Sequence, residues 1–318
     1  MAIRHLLESR RLDQRLKLRE LQVLSAVAAS GSMVKAAGQL GMSQPAVSAA
    51  IAGLEQALGV RLLDRSPRGV EPTIYARAFL RRGRIALDEL RQGLRDIEFL
   101  SDPASGEVRV GCPESMEAGF VPAVIDRLSQ LHPRATVHVV TAQTGTQEFR
   151  ELRERNVDVM LGRLFRPTVD DDIDVEIVGL DRFFVVAGAD SPWARRRRLS
   201  LDEVIGEPWI VNPSDNVVGS YFAEVFRRRG LDLPPRRVVS FSLDVRMHLL
   251  ATGRYLTVLS KLVLQYNAAR WSLKRLPIDL GIPEMPVAIF TLKNRTVSPV
   301  AHVFVEHARA LIKTALPG

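Results

Sequence analysis

The apolar positions of this chain change period at a few well-marked places, and each change predicts a change of element. Leu18, Leu21, Leu24 and Ala28, with Val27 beside them, recur at helical spacing and predict an amphipathic first helix. Met33, Ala36, Ala37 and Leu40 repeat that period over a shorter stretch, which Ser32 can N-cap and Gly41 can end. After a turn at Met42 and Ser43 comes a third stripe, Val47, Ile51, Leu54 and Leu58. Ser43 suits its N-cap, Pro45 falls in the first turn where no intrahelical N–H bond is needed, and Gly59 ends it. Two short helices joined by a tight turn form a helix-turn-helix, which the first helix can cover. Val60 to Leu63 and Val70 to Thr73 then flank the turn Arg65-Ser-Pro-Arg-Gly69, the pattern of a two-stranded wing.

From about Thr73 to Leu100 the period is helical again. Leu80, Leu87 and Leu94 step by seven, as do Leu90 and Ile97, so that positions 87, 90, 94 and 97 alternate three and four. At 1.5 Å per residue this helix is roughly 40 Å long, too long to bury against so small a winged domain, which makes a partner helix the economical reading. The breaker cluster Ser101-Asp-Pro-Ala-Ser-Gly106 closes it. Beyond lies an alternation: strands at Val108 to Gly111, Thr136 to Val140 and Val157 to Leu161, with helices at Val121 to Leu131 and Gln147 to Arg155. A second set follows, with strands at Trp209 to Val211, Val238 to Phe241 and Tyr255 to Leu259 and helices at Val218 to Arg229 and Leu243 to Thr252. Such alternation predicts parallel βαβ units in two α/β lobes. Phe183 to Ala187 and Val287 to Thr291 are the expected crossing strands, and a last helix from about Pro299 to Leu316 is expected to return to the first lobe. The expected division is a winged helix-turn-helix over 1–72, a dimerising linker helix over 73–100 and a two-lobed α/β domain over 101–318. Residues 1–14 show no period and receive no function.

Charge sharpens this picture. Of the net charge of +8 over 318 residues, the first hundred hold 16 Lys+Arg against 10 Asp+Glu, a net +6, and the rest carry +2. The basicity sits with the helix-turn-helix, as expected of a domain that meets a phosphate backbone. A helix in the major groove reads base edges from its N-terminal end, where Gln pairs with adenine and Ser serves a base or a phosphate. Ser32, Lys35, Ser43, Gln44, Pro45 and Ser48 are therefore the candidate DNA contacts of the two helices. Arg65 and Arg68 of the wing suit phosphates or a narrow minor groove.

The run Ala-Ala-Gly-Gln-Leu-Gly-Met-Ser-Gln-Pro-Ala-Val-Ser from Ala36 to Ser48, continued by Ile-Ala-Gly-Leu-Glu-Gln-Ala-Leu-Gly-Val-Arg-Leu-Leu-Asp-Arg from Ile51 to Arg65, resembles the N-terminal signature of LysR-type transcriptional regulators. It departs from many members at Ala49 and Ala50, where a basic or amide residue is common, so one base or phosphate contact is missing here. The resemblance implies double-stranded DNA as partner, dimerisation through the linker helix, and homodimers or homotetramers. It also implies contact with RNA polymerase and a C-terminal effector domain similar to type 2 periplasmic binding proteins.

Other chemistry is sparse. No nucleophile elbow, dinucleotide loop, phosphate loop, His-Glu-x-x-His or paired cysteine is present, so neither enzyme, metal nor cofactor is expected. Cys112 is the only cysteine and reads as a small residue buried at a strand end. His132, His138 and His248 stand isolated, and the Arg195 to Arg198 run reads as a solvated loop. No apolar run is long enough for a membrane span and the N-terminus lacks a signal-peptide core, which predicts a cytoplasmic protein.

For a small effector, Ser115 after the first strand of the first lobe and Thr144 after the second lie at carboxyl ends of parallel strands near helix N-termini, a position suited to a carboxylate or sugar acid. Asn212, Ser214 and Asn216 are the facing candidates. Ser115, Thr144 and Thr146 equally suit plain helix caps, and both readings stay open. Open too is a second functional class, a ligand-independent architectural DNA-binding protein whose α/β half is an oligomerisation module. A solute-binding protein, the third, fits poorly with the N-terminal domain.

Overall fold

In the computed structural model, residues 16–66, 69–142, 148–166, 169–215 and 217–316 are described. The N-terminal extension, the wing-tip Arg68, Thr144 with Thr146, and Asn216 lie outside them. The chain falls into two compact units, 1–93 and 94–318.

In the first unit, α1 (Leu18–Ser30), α2 (Met33–Leu40) and α3 (Gln44–Leu58) each end on a left-handed glycine, Gly31, Gly41 and Gly59 with φ of 63°, 61° and 68°. Left-handed backbone carries no steric penalty at glycine, so all three helices stop where the sequence places that residue. The predicted stripes are the buried faces: Leu24, Val27, Ala36, Val47, Ile51 and Leu54 pack into one core with Leu62 and Leu80. The wing strands β1 (Leu63–Ser66) and β2 (Gly69–Pro72) pair antiparallel, Leu63 opposite Pro72 and Ser66 opposite Gly69. β1 begins later than the sequence reading put it. The carboxylate of Glu55 on α3 accepts from the amides of Leu62 (2.7 Å) and Leu63 (3.2 Å), which fixes where the chain turns into the wing.

Helix α4 (Ile74–Ser101) is the long helix, N-capped by the Thr73 hydroxyl, which accepts from the Ala76 amide at 3.3 Å. Its seven-step row does not form one seam. Leu80 and Leu87 are buried in the first unit's core, whereas Leu90 (52% exposed), Leu94 (68%) and Ile97 (62%) face outward. Leu87 therefore packs within the subunit, and the apolar row left without cover starts at Leu90.

The second unit contains two five-stranded sheets. The first lobe orders them β4 (Arg134–Thr141), β3 (Ser105–Cys112), β5 (Val159–Arg163), β12 (Met285–Leu292), β6 (Ile173–Asp181). The second orders them β11 (Leu273–Arg275), β7 (Phe183–Gly188), β10 (Leu256–Ser260), β8 (Trp209–Val211), β9 (Arg237–Val239). The predicted parallel pairs are present, β3 with β4 and β5, and β8 with β9 and β10. Antiparallel strands complete both sheets: β12 pairs with β5 and β6, and β7 with β10 and β11. Phe183–Gly188 and Met285–Leu292 are thus the strands on which the chain arrives in each lobe after crossing.

Helices α6 (Phe120–Leu131) and α12 (Pro299–Ala315) cover the first sheet, Phe120, Val124, Phe304 and Ile312 meeting Val108, Val110 and Val159 in one buried cluster. The last helix does return to the first lobe. In the second lobe α9 (Val217–Arg228) and α10 (Leu243–Ala251) flank the sheet from different clusters, Phe226 against Trp209 and Met247 against Ile210. The predicted helix at Gln147 to Arg155 is only the single turn α7 (Arg150–Arg153) within the described residues.

Candidate functional site

Two surfaces carry the candidate chemistry. On the first unit, the Ser43 hydroxyl accepts from the Ala46 amide at 3.3 Å and caps α3, with Pro45 in the first turn as read from the sequence. A side chain bonded in this way serves the helix, so Ser43 fixes the N-terminus as much as it offers a contact. The Ser32 hydroxyl caps α2 in the same way, accepting from the Lys35 amide at 3.4 Å. Gln44 and Pro45 are exposed beside the cap, Ser48 lies half-buried one turn on, and Lys35 and Arg65 are exposed. Ala49, Ala52 and Gln56 keep the outer face of α3 free of charge and bulk. The Val70 amide donates to the Gly31 carbonyl at 2.9 Å, tying the wing to the turn between α1 and α2.

In the second unit a cavity of about 110 Å³ lies between the lobes. Pro113, Glu114, Ser115, Arg163 and Phe165 line it from the first lobe; Phe183, Asn212, Phe222, Phe241, Leu243, Arg246 and Ser260 line it from the second. Ser115 and Asn212 are therefore brought together as the sequence reading expects. Ser214 is exposed in the turn before α9 and is not part of the lining.

The cavity's strongest groups are two buried arginines that the sequence reading passed over. Arg163 ends β5, two residues beyond the predicted strand end. Its Nη2 donates to Asp181 Oδ2 at 2.7 Å and to the Ser260 hydroxyl at 2.6 Å, and its Nη1 donates to the Ser115 hydroxyl at 3.1 Å. Asp181 is fully buried and also accepts from the Leu262 amide at 3.2 Å, so this ion pair joins the lobes as well as lining the space between them. Arg246 on α10 donates to the Thr257 hydroxyl at 3.1 Å, to the Ser240 carbonyl at 2.7 Å and to Asn212 Oδ1. Burial pushes its guanidinium down to about 10, a fall only partly offset by the nearby charge of Glu114. A charged strand-end residue in Leu161-Gly-Arg163 was the available signal for the first arginine; nothing in the pattern around Arg246 separates it from the chain's many solvated arginines.

Cys112 is fully buried at the end of β3, as the sequence reading has it, and burial followed by the charge of Glu117 pushes its thiol up to about 12. Among the described residues no cluster of metal-ligating side chains occurs and no helix is long and apolar enough to cross a membrane.

A winged helix-turn-helix joined in one chain to a two-lobed α/β unit with a polar cleft defines a DNA-binding regulator that carries a small-molecule-binding domain. The chain belongs to the LysR family of bacterial transcriptional regulators: residues 18–77 match the bacterial regulatory helix-turn-helix protein of the lysR family, and residues 101–313 match the LysR substrate binding domain. It is similar to the HTH-type transcriptional regulator GbpR of Azospirillum brasilense, 29% identical over 96% of this chain and 89% of that one. GalR of Pseudomonas putida is 30% identical over 92% of this chain and 74% of its own. Among solved structures, full-length OxyR from Pseudomonas aeruginosa superposes with a TM-score of 0.64 at 21% identity, covering 94% of this chain and 95% of that one. Full-length CbnR bound to its target DNA gives 0.63 at 20% identity, covering 93% and 99%. As a LysR-type regulator the protein binds DNA, and its second domain is an effector-binding domain.

Proposed function

We propose that the protein is a cytoplasmic, effector-responsive DNA-binding dimer, or pair of dimers, in which residues 1–72 read DNA, 73–100 dimerise and 101–318 sense a small molecule. Gln44, supported by Pro45, Ser43 and Ser48, reads base edges from the N-terminus of α3. Ser32, Lys35, Arg65 and Arg68 hold the phosphate backbone. That the related CbnR is solved on its target DNA supports the DNA half of this reading. The exposed row Leu90, Leu94 and Ile97 supplies the seam between subunits.

The observation that carries the sensing half is the inter-lobe cavity, where the buried guanidiniums of Arg163 and Arg246 lie beside Ser115, Asn212 and several phenylalanines. Ligand sites combine an apolar lining with a few convergent polar groups, and this cavity has both. Of the effector candidates, Ser115 and Asn212 contribute directly. The test is a thermal-shift screen of the full chain against small organic acids and sugars, followed by DNA titrations with and without each hit. A hit that raises the melting temperature and changes DNA affinity is expected; DNA binding indifferent to every stabilising compound would favour the architectural reading.

A further inference from the structure

One contact across the cleft is chemically unusual. Glu114, at the start of the short helix after β3, sends its carboxylate to the opposite lobe, where Oε1 accepts from the Leu243 amide at 2.9 Å and from the Ser242 hydroxyl at 3.4 Å. Those two donors form the N-terminus of α10, a nine-residue helix whose exposed amides and dipole favour an anion. One turn further along that helix stands Arg246, buried, with only the neutral acceptors Thr257, Asn212 and Ser240 and no ion pair. A buried guanidinium without a carboxylate of its own is costly, and Glu114 is the charge in the lining that offsets it.

The charges around the cavity can be counted. Its lining holds Glu114, Arg163 and Arg246, and Arg163 is already neutralised by Asp181. Removing Glu114 leaves one positive charge, faced by Phe165, Phe183, Phe222 and Phe241. The cavity, about 110 Å³, is smaller than the roughly 300 to 1,000 Å³ of ordinary ligand sites. A lobe-to-lobe contact of this kind holds it small.

We infer that Glu114 is an internal ligand that latches the lobes, and that the effector is an apolar monocarboxylate whose carboxylate displaces Glu114 from Ser242 and Leu243 beside Arg246. This rests on the effector-sensing reading and specifies its ligand class. Glu114 then acts as a competitor: it sets the concentration at which a carboxylate can enter, and its release frees the first lobe from α10.

The test uses the full chain with sodium phenylacetate as the carboxylate probe and phenylacetamide as its neutral counterpart, titrated by calorimetry into wild type, Glu114→Gln and Glu114→Ala. Both variants should bind phenylacetate about tenfold more tightly than wild type, with the amide weak throughout, because a competing charge has gone. Hydrogen exchange without any ligand should show the Leu243 amide opening faster in Glu114→Ala, a result that checks the latch should one variant fold poorly. Unchanged or weaker phenylacetate binding in both folded variants would overturn the proposal. So would a protein stabilised by sugars or amines and never by a carboxylate, an outcome that leaves effector sensing itself standing. If no compound of any class shifts melting or DNA affinity, the sensing reading falls first and this one with it.

Discussion

Arg295 donates from Nη2 to the Asp158 carboxylate at 2.8 Å, with both side chains only 1% exposed. The same oxygen takes Arg109 of β3 at 3.2 Å and Arg95, near the end of α4, at 3.4 Å, while the second oxygen accepts the Arg109 amide at 2.8 Å. One buried carboxylate therefore joins the last turns of the long helix to the first lobe's sheet and to the segment entering α12.

Removing that charge strands buried guanidiniums. Asp158→Asn should destabilise the second unit by roughly 3 to 5 kcal/mol, the cost of breaking a buried pair from one side. Denaturant unfolding should show an early transition for the second unit, with the first unit's signal unmoved. A loss below about 1 kcal/mol would place the cluster among ordinary solvated surface pairs.

The two kinds of leucine on α4 should behave differently. Leu94→Lys with Ile97→Lys puts charges into the exposed row and should yield folded monomer in sedimentation velocity, with weakened binding to a two-half-site operator. Leu87→Lys should instead unfold the first unit, since Leu87 is part of its core. Intact dimer in the double variant would show that the exposed row is not the subunit seam.

Cys112 should be inert. With its thiol held near 12 by burial, thiolate at pH 8 amounts to about one part in ten thousand, and a thiol reagent should label the native protein only as fast as it unfolds. The sign for stability follows: the unfolded thiol ionises from about 9.0 and the folded one not until about 12, so this group lowers stability as pH rises through that window and has no effect below it. Rapid stoichiometric labelling at pH 8 without unfolding would contradict the burial.

What the sequence disclosed, it disclosed through periodicity and helix punctuation. The three glycine-ended helices, the caps at Ser32 and Ser43, and the parallel pairs of β3 and β8 were all legible, since each depends on local rules. Strand β6 was missed although Ile173, Val175 and Ile177 alternate with Asp174 and Glu176; it is an edge strand, partly polar on both faces, joined to the sheet only through β12. The site was half legible. Ser115 and Asn212 follow from the rule that ligands gather at strand ends, whereas Arg163 and Arg246 are functional because they are buried, and burial is a tertiary property that one arginine among many does not announce. The row on α4 misled for the same reason: the seven-step spacing is real, but where the core of the first unit ends decides which leucines remain outside.

The most direct test of the account is selection of bound sequences from a random duplex library by wild type and by Gln44→Ala. Wild type should enrich a sequence with two related half-sites, as two subunits joined through α4 would read it. Gln44→Ala should lose roughly 1 to 3 kcal/mol of preference at one base pair in each half-site and little affinity for unrelated DNA, while Arg65→Ala should weaken binding to both alike. A wild-type protein that enriches no sequence, or a Gln44→Ala variant that enriches the same one with undiminished preference at every position, would contradict the assignment of α3 as the reading helix.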